Sequence, residues 1–502
     1  MNAPEPPAQL SLKQRTLRGF LWTGLEGAAR TLIQFGVLAV IARRLSPEQF
    51  GVANAAIVVV GISAIFSELG VGPAVVQRTE LQEAHKNGAF VISCGLGILV
   101  GLALWLLSEP LAAMLKMPNV AAPLRVLAWV FPATGAAVVS QSLLQREMRF
   151  GILTRVELVV VALGYGVPAI LLARAGFGVW SLIYAYLGQM ILRSILAFFC
   201  HPWRPGLRFS RAAFGELLHF SGGMTIGRVA NYVASNGDNL VVGRYLGADD
   251  LGIYGRAYQI MVAPAAMIGN VLEKVLFPAM VKVNHDDALL GKAFARGLAL
   301  LAVVMLPVSA LIFVLAPEII NLMLGPQWTG VVVPLQIMTV GLVARTSVKM
   351  SNCLMRARGV VYRWAAYYVF HALGIVLFAW IGQFWGLIGA SVGVVLNIIL
   401  FFLIMAWLSM KSVRLPWQTF ISIYLAPLAL SAVVFLGTYA TAALLRSAPQ
   451  PALVTLCAGC GIAGLIAAAG ILTFPTTFFG PDAAGLRDLS RQFLGRFCSS
   501  RT

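Results

Sequence analysis

Long apolar runs of about 20 residues or more, separated by short polar segments, fill most of the 502-residue chain. A helix of about 20 residues is about 30 Å long, which matches the hydrocarbon core of a bilayer. The pattern therefore predicts an all-α integral membrane protein with about fourteen transmembrane helices. The predicted spans are 17–42, 49–73, 87–108, 120–144, 153–174, 178–200, 216–244, 251–280, 292–315, 328–355, 361–381, 384–409, 418–445 and 452–475.

The seventh predicted span carries a polar face. Its polar positions follow one another at intervals of three, four and three residues: Arg228, Asn231, Ser235 and Asp238. At about 100° per residue, this spacing puts all of them on one side of a helix. A charged side chain at membrane depth costs at least about 2.5–3.5 kcal/mol. This face is therefore predicted to point toward protein or water instead of lipid.

The first span repeats this arrangement 201 positions earlier. The segment IARRLSPEQFGV (41–52) aligns with VGRYLGADDLGI (242–253). The same offset superimposes two further pairs of polar positions: Arg30 on Asn231, and Gln34 on Ser235. Because each of these helices opens one half of the chain, the repeat predicts two six-helix lobes that face a shared polar cavity.

The repeat and the loops divide the chain into six predicted segments. Two further helices without a counterpart in the repeat follow the second lobe. The segments are a cytoplasmic N-terminus (1–16), an N-lobe with helices one to six (17–200), a cytoplasmic linker (201–215), a C-lobe with helices seven to twelve (216–409), helices thirteen and fourteen (410–475) and a cytoplasmic tail (476–502).

The charge of the chain reports its orientation. The residues are 59% hydrophobic and 11% charged, the mean hydropathy is +0.84 and the net charge is +18. Of the 37 Lys and Arg residues, 23 lie at the termini, in even-numbered loops or in the span ends beside them, and six lie in odd-numbered loops or the span ends beside them. Basic loops face the cytoplasm, so both termini are predicted to be cytoplasmic in a multi-pass protein of the bacterial inner membrane. The basic residues are therefore not read as a nucleic-acid site.

Bases outnumber acids within the predicted spans, which points to a cavity for an anion. Arginine is well suited to phosphate because its guanidinium bonds two oxygens at once. The predicted substrate-binding residues are Arg30, Arg228, Arg345, Lys349, Gln34, Asn231 and Ser235, and the candidates for a coupling ion are Asp238 and Glu26. Asp238 also has a second interpretation, as a partner that holds an Arg for the sake of the fold. Bases nearer the helix ends, such as Arg125 and Arg193, are expected to snorkel to the interface.

Other motifs carry no chemistry in this context. Cys457 and Cys460 form a CxxC inside the last apolar span, without further ligands nearby in the sequence. A GxGxxG pattern in the same span follows no strand, so close helix packing explains it better than a nucleotide. The chain has no Walker motif. We therefore predict no cofactor, no metal and no enzymatic activity.

Four segments resemble one family of membrane proteins. They are IARRLSPEQFG (41–51), FSELGVGPAVVQR (66–78), LLQREMRF (143–150) and DNLVVGRYLGADDLGIYGRAYQI (238–260). The chain looks like the Wzx-type lipid-linked oligosaccharide flippases of the MOP superfamily, in the branch of colanic-acid-like exporters. The resemblance implies two MATE-like lobes, alternating access and transfer of undecaprenyl-diphosphate-linked repeat units to the periplasmic leaflet for polysaccharide biosynthesis. It also implies a cationic cavity, which agrees with Arg30 and Arg228.

Two other functions remain as alternatives. A cation-coupled multidrug exporter of the MATE type has the same predicted fold, but its pocket should be acidic and aromatic. A membrane glycosyltransferase or polymerase would need a larger outer loop or domain than the short connections here allow. For the flippase, the predicted partners are the lipid-linked oligosaccharide and membrane lipids, with a polysaccharide polymerase and a chain-length regulator as candidates.

Overall fold

The structure is a computed structural model that describes residues 27, 29–78, 80–203, 206, 211–359, 361–448 and 450–473. Side chains are described at these positions except within 211–226, 270–271, 274–275 and 361–365. The predicted site residue Glu26 lies outside the described residues. The chain divides into two compact units. The first unit is Met1–Asn236 with Gly247–Gly252, and the second is Gly237–Leu246 with Ile253–Thr502.

The described part of the chain is helical and contains no strand, which confirms the prediction of an all-α protein. In the part of the chain before residue 201, a 3-10 segment at Pro118–Val120 and a π segment at Val160–Gly166 interrupt the α-helices. The helices are α1 (Ala29–Ala42), α2 (Pro47–Glu68), α3 (Val71–Gln77), α4 (Glu83–Leu106), α5 (Ser108–Met114), α6 (Ala121–Leu127), α7 (Val130–Arg146), α8 (Phe150–Val159), α9 (Val167–Arg174) and α10 (Val179–Cys200).

The second half of the chain forms longer helices. Two 3-10 segments, Pro326–Val331 and Gln383–Trp385, lie between them. The helices are α11 (Arg211–Leu246), α12 (Ala248–Lys282), α13 (Asp287–Met323), α14 (Val332–Val340), α15 (Leu342–Ala357), α16 (Val361–Gly382), α17 (Gly386–Val413), α18 (Trp417–Ser447) and α19 (Ala452–Thr473).

Within the described residues, nine helical stretches are long and apolar enough to cross a membrane, and α14 with α15 adds a tenth if this bent pair is one span. One of the nine, Ala366–Val413, contains parts of two predicted spans. Helices α11 and α12 are long enough to cross a membrane but are not among these nine, which were found within the described residues alone. The multi-span fold is confirmed, while the count of fourteen stays a prediction.

The repeat appears in the first unit as a reciprocal contact between two helix starts. A Cβ atom added to Gly51 would collide with the carbonyl oxygen of Ala248. A Cβ atom added to Gly252 would likewise collide with the carbonyl oxygen of Pro47. Both pairs of equivalent positions, 47 with 248 and 51 with 252, are 201 residues apart. The two glycines therefore let the first turns of α2 and α12 touch backbone to backbone.

A sharp break follows α2 in the first unit. The helix begins with a capping box in which Ser46 and Gln49 exchange side-chain and backbone hydrogen bonds. It ends where Leu69 and Gly70 both adopt left-handed backbone angles, with φ of 37° and 71°. Glycine takes this conformation readily, but leucine does so at a steric cost. The strained break fixes Glu68, the last residue of α2, at the end of a rigid helix.

In the second unit, α18 and α19 pack beside α13. Glu318 of α13 is buried, and Arg446 of α18 donates to both of its carboxylate oxygens at 2.7 and 2.8 Å. Arg446 also donates to the carbonyl of Val314 at 2.9 Å. Further along the same helix pair, Ser431 donates to the carbonyl of Leu306. Helix α18 is thus fastened to α13 by polar contacts, and α19 packs against the two helices through apolar side chains such as Ala463.

Candidate functional site

Arg228 of α11 forms an ion pair with Glu68 of α2 inside the first unit. Arg228 Nη2 lies 2.9 Å from Glu68 Oε2. The two side chains are 37% and 43% exposed, so both are accessible. Arg228 Nη1 is buried and has no hydrogen-bond partner among the described residues. The guanidinium therefore has donor capacity left over after binding Glu68.

A tyrosine one turn further along α11 holds this face of the helix against α2. The Tyr232 hydroxyl donates to the carbonyl of Val58 at 2.9 Å. Gly61 lies beneath the tyrosine ring, where a Cβ atom would collide with it. Because residues four apart share one helix face, Tyr232 and Arg228 contact α2 together. The sequence pattern missed Tyr232, although its spacing of four from Arg228 is a signal that could have found it.

The other predicted residues of the first unit lie at varied depths. Arg30 and Gln34 are half-buried on α1. Asn231 is exposed, and the half-buried Ser235 donates to its backbone carbonyl at 2.9 Å. Their assignment to one binding site stays a prediction.

Asp238 belongs to a buried polar cluster of the second unit. The residue is 1% exposed. One carboxylate oxygen accepts from the Tyr254 hydroxyl at 2.7 Å, and the other accepts from the backbone and side-chain nitrogens of Asn239 at 2.9 and 3.1 Å. These described partners are all neutral groups. Asp238 is therefore well supplied with hydrogen bonds while it forms no ion pair among the described residues.

Two tyrosines connect Asp238 to Arg345. The Tyr254 and Tyr258 rings are stacked, with centroids 6.3 Å apart. Arg345 Nη2 donates to the Tyr258 hydroxyl at 2.6 Å, and the guanidinium carbon lies 5.0 Å from the centre of that ring. The structure thus connects Asp238 with Arg345, both of which were predicted as site residues. The connection runs through Tyr254 and Tyr258, which were not predicted. The signal was present, because Tyr254 and Tyr258 are four apart on α12.

Lys349 and Arg356 continue the stripe of bases along α15. The Lys349 ammonium donates to the carbonyl of Ala265 at 3.2 Å, and its stem lies against Gly269, where there is no room for a Cβ atom. Arg356 forms an ion pair with Glu273. Both partners belong to α12. Each of these bases therefore already has a contact on the neighbouring helix.

A further polar layer joins α15, α16 and α17 in the second unit. Asn352 donates to the Tyr368 hydroxyl at 2.6 Å. His371 and Asn397 are in hydrogen-bonding contact at 3.0 Å, and the His371 ring is stacked on Phe401 with centroids 4.0 Å apart. Tyr368, His371 and Asn397 were not among the predicted site residues. Among the described residues, no group of three or more His, Cys, Asp or Glu side chains could hold a metal ion.

Long apolar helices with charged side chains at membrane depth define a multi-span membrane protein of the transporter class. The family model described as "Polysaccharide biosynthesis protein" matches residues 40–333, which is more than half of the chain. The chain belongs to this family. The predicted relationship to polysaccharide transport proteins is therefore confirmed.

Individual relatives agree with this assignment. The chain is 26% identical over 404 residues to the lipopolysaccharide biosynthesis protein WzxC of Escherichia coli K12, covering 77% of this chain and 79% of that one. It is 29% identical over 309 residues to the succinoglycan biosynthesis transport protein ExoT of Rhizobium meliloti 1021, covering 61% and 62%. Among solved structures, the lipid II flippase MurJ in an inward closed conformation is similar in fold, with a TM-score of 0.74, 13% identity and coverage of 91% and 98%.

Proposed function

We propose that this protein moves an undecaprenyl-diphosphate-linked oligosaccharide repeat unit across the bacterial inner membrane by alternating access. The family, the relatives and the fold support a transporter instead of an enzyme. The observation that carries the proposal within this chain is the accessible guanidinium of Arg228, one nitrogen of which has no partner among the described residues. A diphosphate cannot enter a low-dielectric region without compensating charge, and arginine supplies both charge and paired donors.

The proposed binding site combines bases for the diphosphate with polar groups for sugars. Arg30 and Arg228 of the first unit would bind phosphate oxygens, while Arg345 and Lys349 of the second unit remain candidates from their positions in the sequence. The amide and hydroxyl side chains of the predicted set suit sugar hydroxyls, because they both donate and accept hydrogen bonds. These are Gln34, Asn231 and Ser235.

Asp238 is the proposed site for a coupling proton or Na⁺. This proposal is supported by the surroundings of the Asp238 carboxylate, which is almost fully buried and contacts only neutral donors among the described residues. A group in such surroundings gains from binding a cation, because desolvation disfavours the isolated charge. Glu26, the second candidate, remains a proposal from its position in the sequence.

The orientation and the wider assembly also belong to the proposal. The concentration of Lys and Arg in even-numbered loops supports cytoplasmic termini in the inner membrane. A polysaccharide polymerase and a chain-length regulator are the expected partners, because a repeat unit delivered to the outer leaflet must be polymerised there. A cation-coupled multidrug exporter is less consistent with a site rich in bases.

The proposal is tested in a strain that lacks the native gene, with surface polysaccharide and membrane abundance of each variant measured together. Arg228→Ala should abolish export at unchanged abundance, and Arg228→Lys should restore it only in part, because lysine lacks the planar fork. Arg193→Ala is the matched control, since Arg193 is another arginine within a predicted span that forms an ion pair, with Glu157 at 2.8 Å. Normal export by Arg228→Ala would refute the proposed site.

A further inference from the structure

The contact between Glu68 and Arg228 leaves part of the guanidinium unused. Glu68 engages Arg228 through a single oxygen at 2.9 Å, and Arg228 Nη1 has no partner among the described residues. A guanidinium can bond two oxygens of one anion side by side. An anion with several oxygens and more than one negative charge would therefore bind Arg228 better than Glu68 does.

Helix stability does not explain a carboxylate at position 68. Glu68 is the last residue of α2, where the backbone carbonyls give the helix end a partial negative charge. An acid is unfavourable there, and no basic residue lies in the last turn to offset it. The next residue, Leu69, adopts a strained left-handed conformation. The charge of Glu68 is thus better explained by its contact with α11 than by its own helix.

The exposure of this pair distinguishes it from a similar pair in the same unit. Arg193 and Glu157 are also joined at 2.8 Å, but their side chains are only 23% and 17% exposed. Arg228 and Glu68 are roughly twice as exposed, at 37% and 43%. Arg228 is therefore more open to an anion than Arg193 is, while its unused Nη1 atom is itself buried.

We infer that Glu68 is a displaceable counter-ion that occupies Arg228 in the empty state and yields to a diphosphate. This inference rests on the proposed function, because it takes Arg228 as the anion site. Glu68 keeps the empty site neutral, which avoids an unpaired cation at membrane depth. A monoanion gains too little to replace it, whereas a diphosphate gains a second oxygen contact and additional charge. Glu68 thereby sets a preference for polyvalent anions.

The test measures binding of inorganic diphosphate and of acetate to the purified full-length protein in nanodiscs by calorimetry. Glu68→Gln removes the competing charge but keeps the shape, so diphosphate should bind about fivefold to tenfold tighter. The ratio of diphosphate to acetate affinity should fall, because acetate no longer competes against a carboxylate. In the Arg228→Gln background, diphosphate binding should be lost with or without Glu68→Gln, which shows that the gain requires Arg228.

Glu157→Gln is the matched control and should leave both affinities as in the parent protein. If Glu68→Gln does not fold, Glu68→Asp serves instead, because its shorter side chain weakens the contact and should give a smaller gain. Unchanged or weaker diphosphate binding in Glu68→Gln, with binding lost in Arg228→Gln, would overturn the inference and leave the proposed site intact. Full affinity in Arg228→Gln would overturn the proposed site as well.

Discussion

The polar face of α11 places an arginine and a carboxylate in two different surroundings. Arg228, in the first unit, has one direct contact to an acid, and both side chains are about two-fifths exposed. Asp238, ten residues later and in the second unit, is 1% exposed and accepts three hydrogen bonds from neutral donors. Ten residues along one helix therefore separate an accessible charge from an enclosed one.

This difference shows that residue type and helical spacing do not determine the role of a charged side chain. The Arg228 ion pair is expected to exchange its partner for a ligand, because both of its side chains are partly exposed. Asp238 cannot exchange its partners without breaking a buried network that extends through two tyrosines to Arg345. Binding is expected to depend on the first arrangement, and stability or coupling on the second.

The largest expected effect on stability is that of Asp238→Ala. This change removes the carboxylate that accepts from the Tyr254 hydroxyl and from Asn239 in the protein interior, at a cost of about 3 kcal/mol. The melting temperature of the detergent-solubilised protein, followed by intrinsic fluorescence, measures the loss. Asp238→Asn, which keeps the size and one acceptor oxygen, should lose less. An unchanged melting temperature for Asp238→Ala would mean that the cluster is not structurally important.

For the contacts Arg228–Glu68 and Asp238–Tyr254, the sequence predicted only the residue on α11. Periodicity correctly identified the polar face of α11, because spacing along a single helix defines which residues share a side. It could not identify Glu68 as the partner of Arg228, because the two are 160 positions apart and on different helices. The spacing of four puts Tyr254 and Tyr258 on one face of α12, but it does not indicate that their hydroxyls contact Asp238 and Arg345.

Helix positions were predicted more accurately than helix interruptions. The predicted span 418–445 corresponds to Trp417–Ser447, and 178–200 corresponds to Val179–Cys200. In contrast, the predicted span 49–73 breaks at Leu69 and Gly70, although the sequence GVGP at 70–73 was a turn signal. Hydropathy measures where a chain prefers lipid, but it does not respond to a change of backbone direction inside an apolar run.

The next largest losses of stability are expected from a matched pair of tyrosine variants, Tyr254→Phe and Tyr232→Phe. Tyr254→Phe removes a donor from the buried Asp238 carboxylate, which should cost about 1–3 kcal/mol. Tyr232→Phe removes a donor from the Val58 carbonyl, at a cost of about 0.5–1.5 kcal/mol for an ordinary hydrogen bond. Both variants keep the ring, so the comparison isolates the hydroxyl. Equal losses of melting temperature would contradict the distinction between the two surroundings.

Removing the accessible ion pair should change stability less. Arg228→Gln is expected to lower the free energy of unfolding by only about 0.2–1 kcal/mol, because a pair with this exposure is well solvated. Export of polysaccharide should nevertheless be lost, since the guanidinium is the proposed ligand of the diphosphate. A variant that melts far below the parent protein would show that Arg228 is mainly structural, and the loss of export would then carry no information about binding.

The smallest effect is expected at a carboxylate that lies outside the spans. Glu147 follows α7 and contacts His201 Nε2 at 2.9 Å, with 38% of its side chain exposed. The hydrogen bond from His201 lowers the pKa of Glu147, and Arg149 acts in the same direction. A carboxyl group whose pKa is lower in the folded state stabilises the fold above its unfolded pKa of about 4.3. The contribution is lost as the pH falls through the lower folded value.

Glu147→Gln should therefore lower stability at pH 7 by no more than about 0.2–1 kcal/mol, and the difference from the parent protein should vanish at strongly acidic pH. Melting temperatures of both proteins across this pH range measure the effect. Since Glu147 is about as exposed as Glu68, it gives the contribution expected of a solvated carboxylate, here one with two partners, His201 and Arg149. A loss at Glu147 as large as that of Asp238→Ala would show that exposure does not separate the two arrangements on α11.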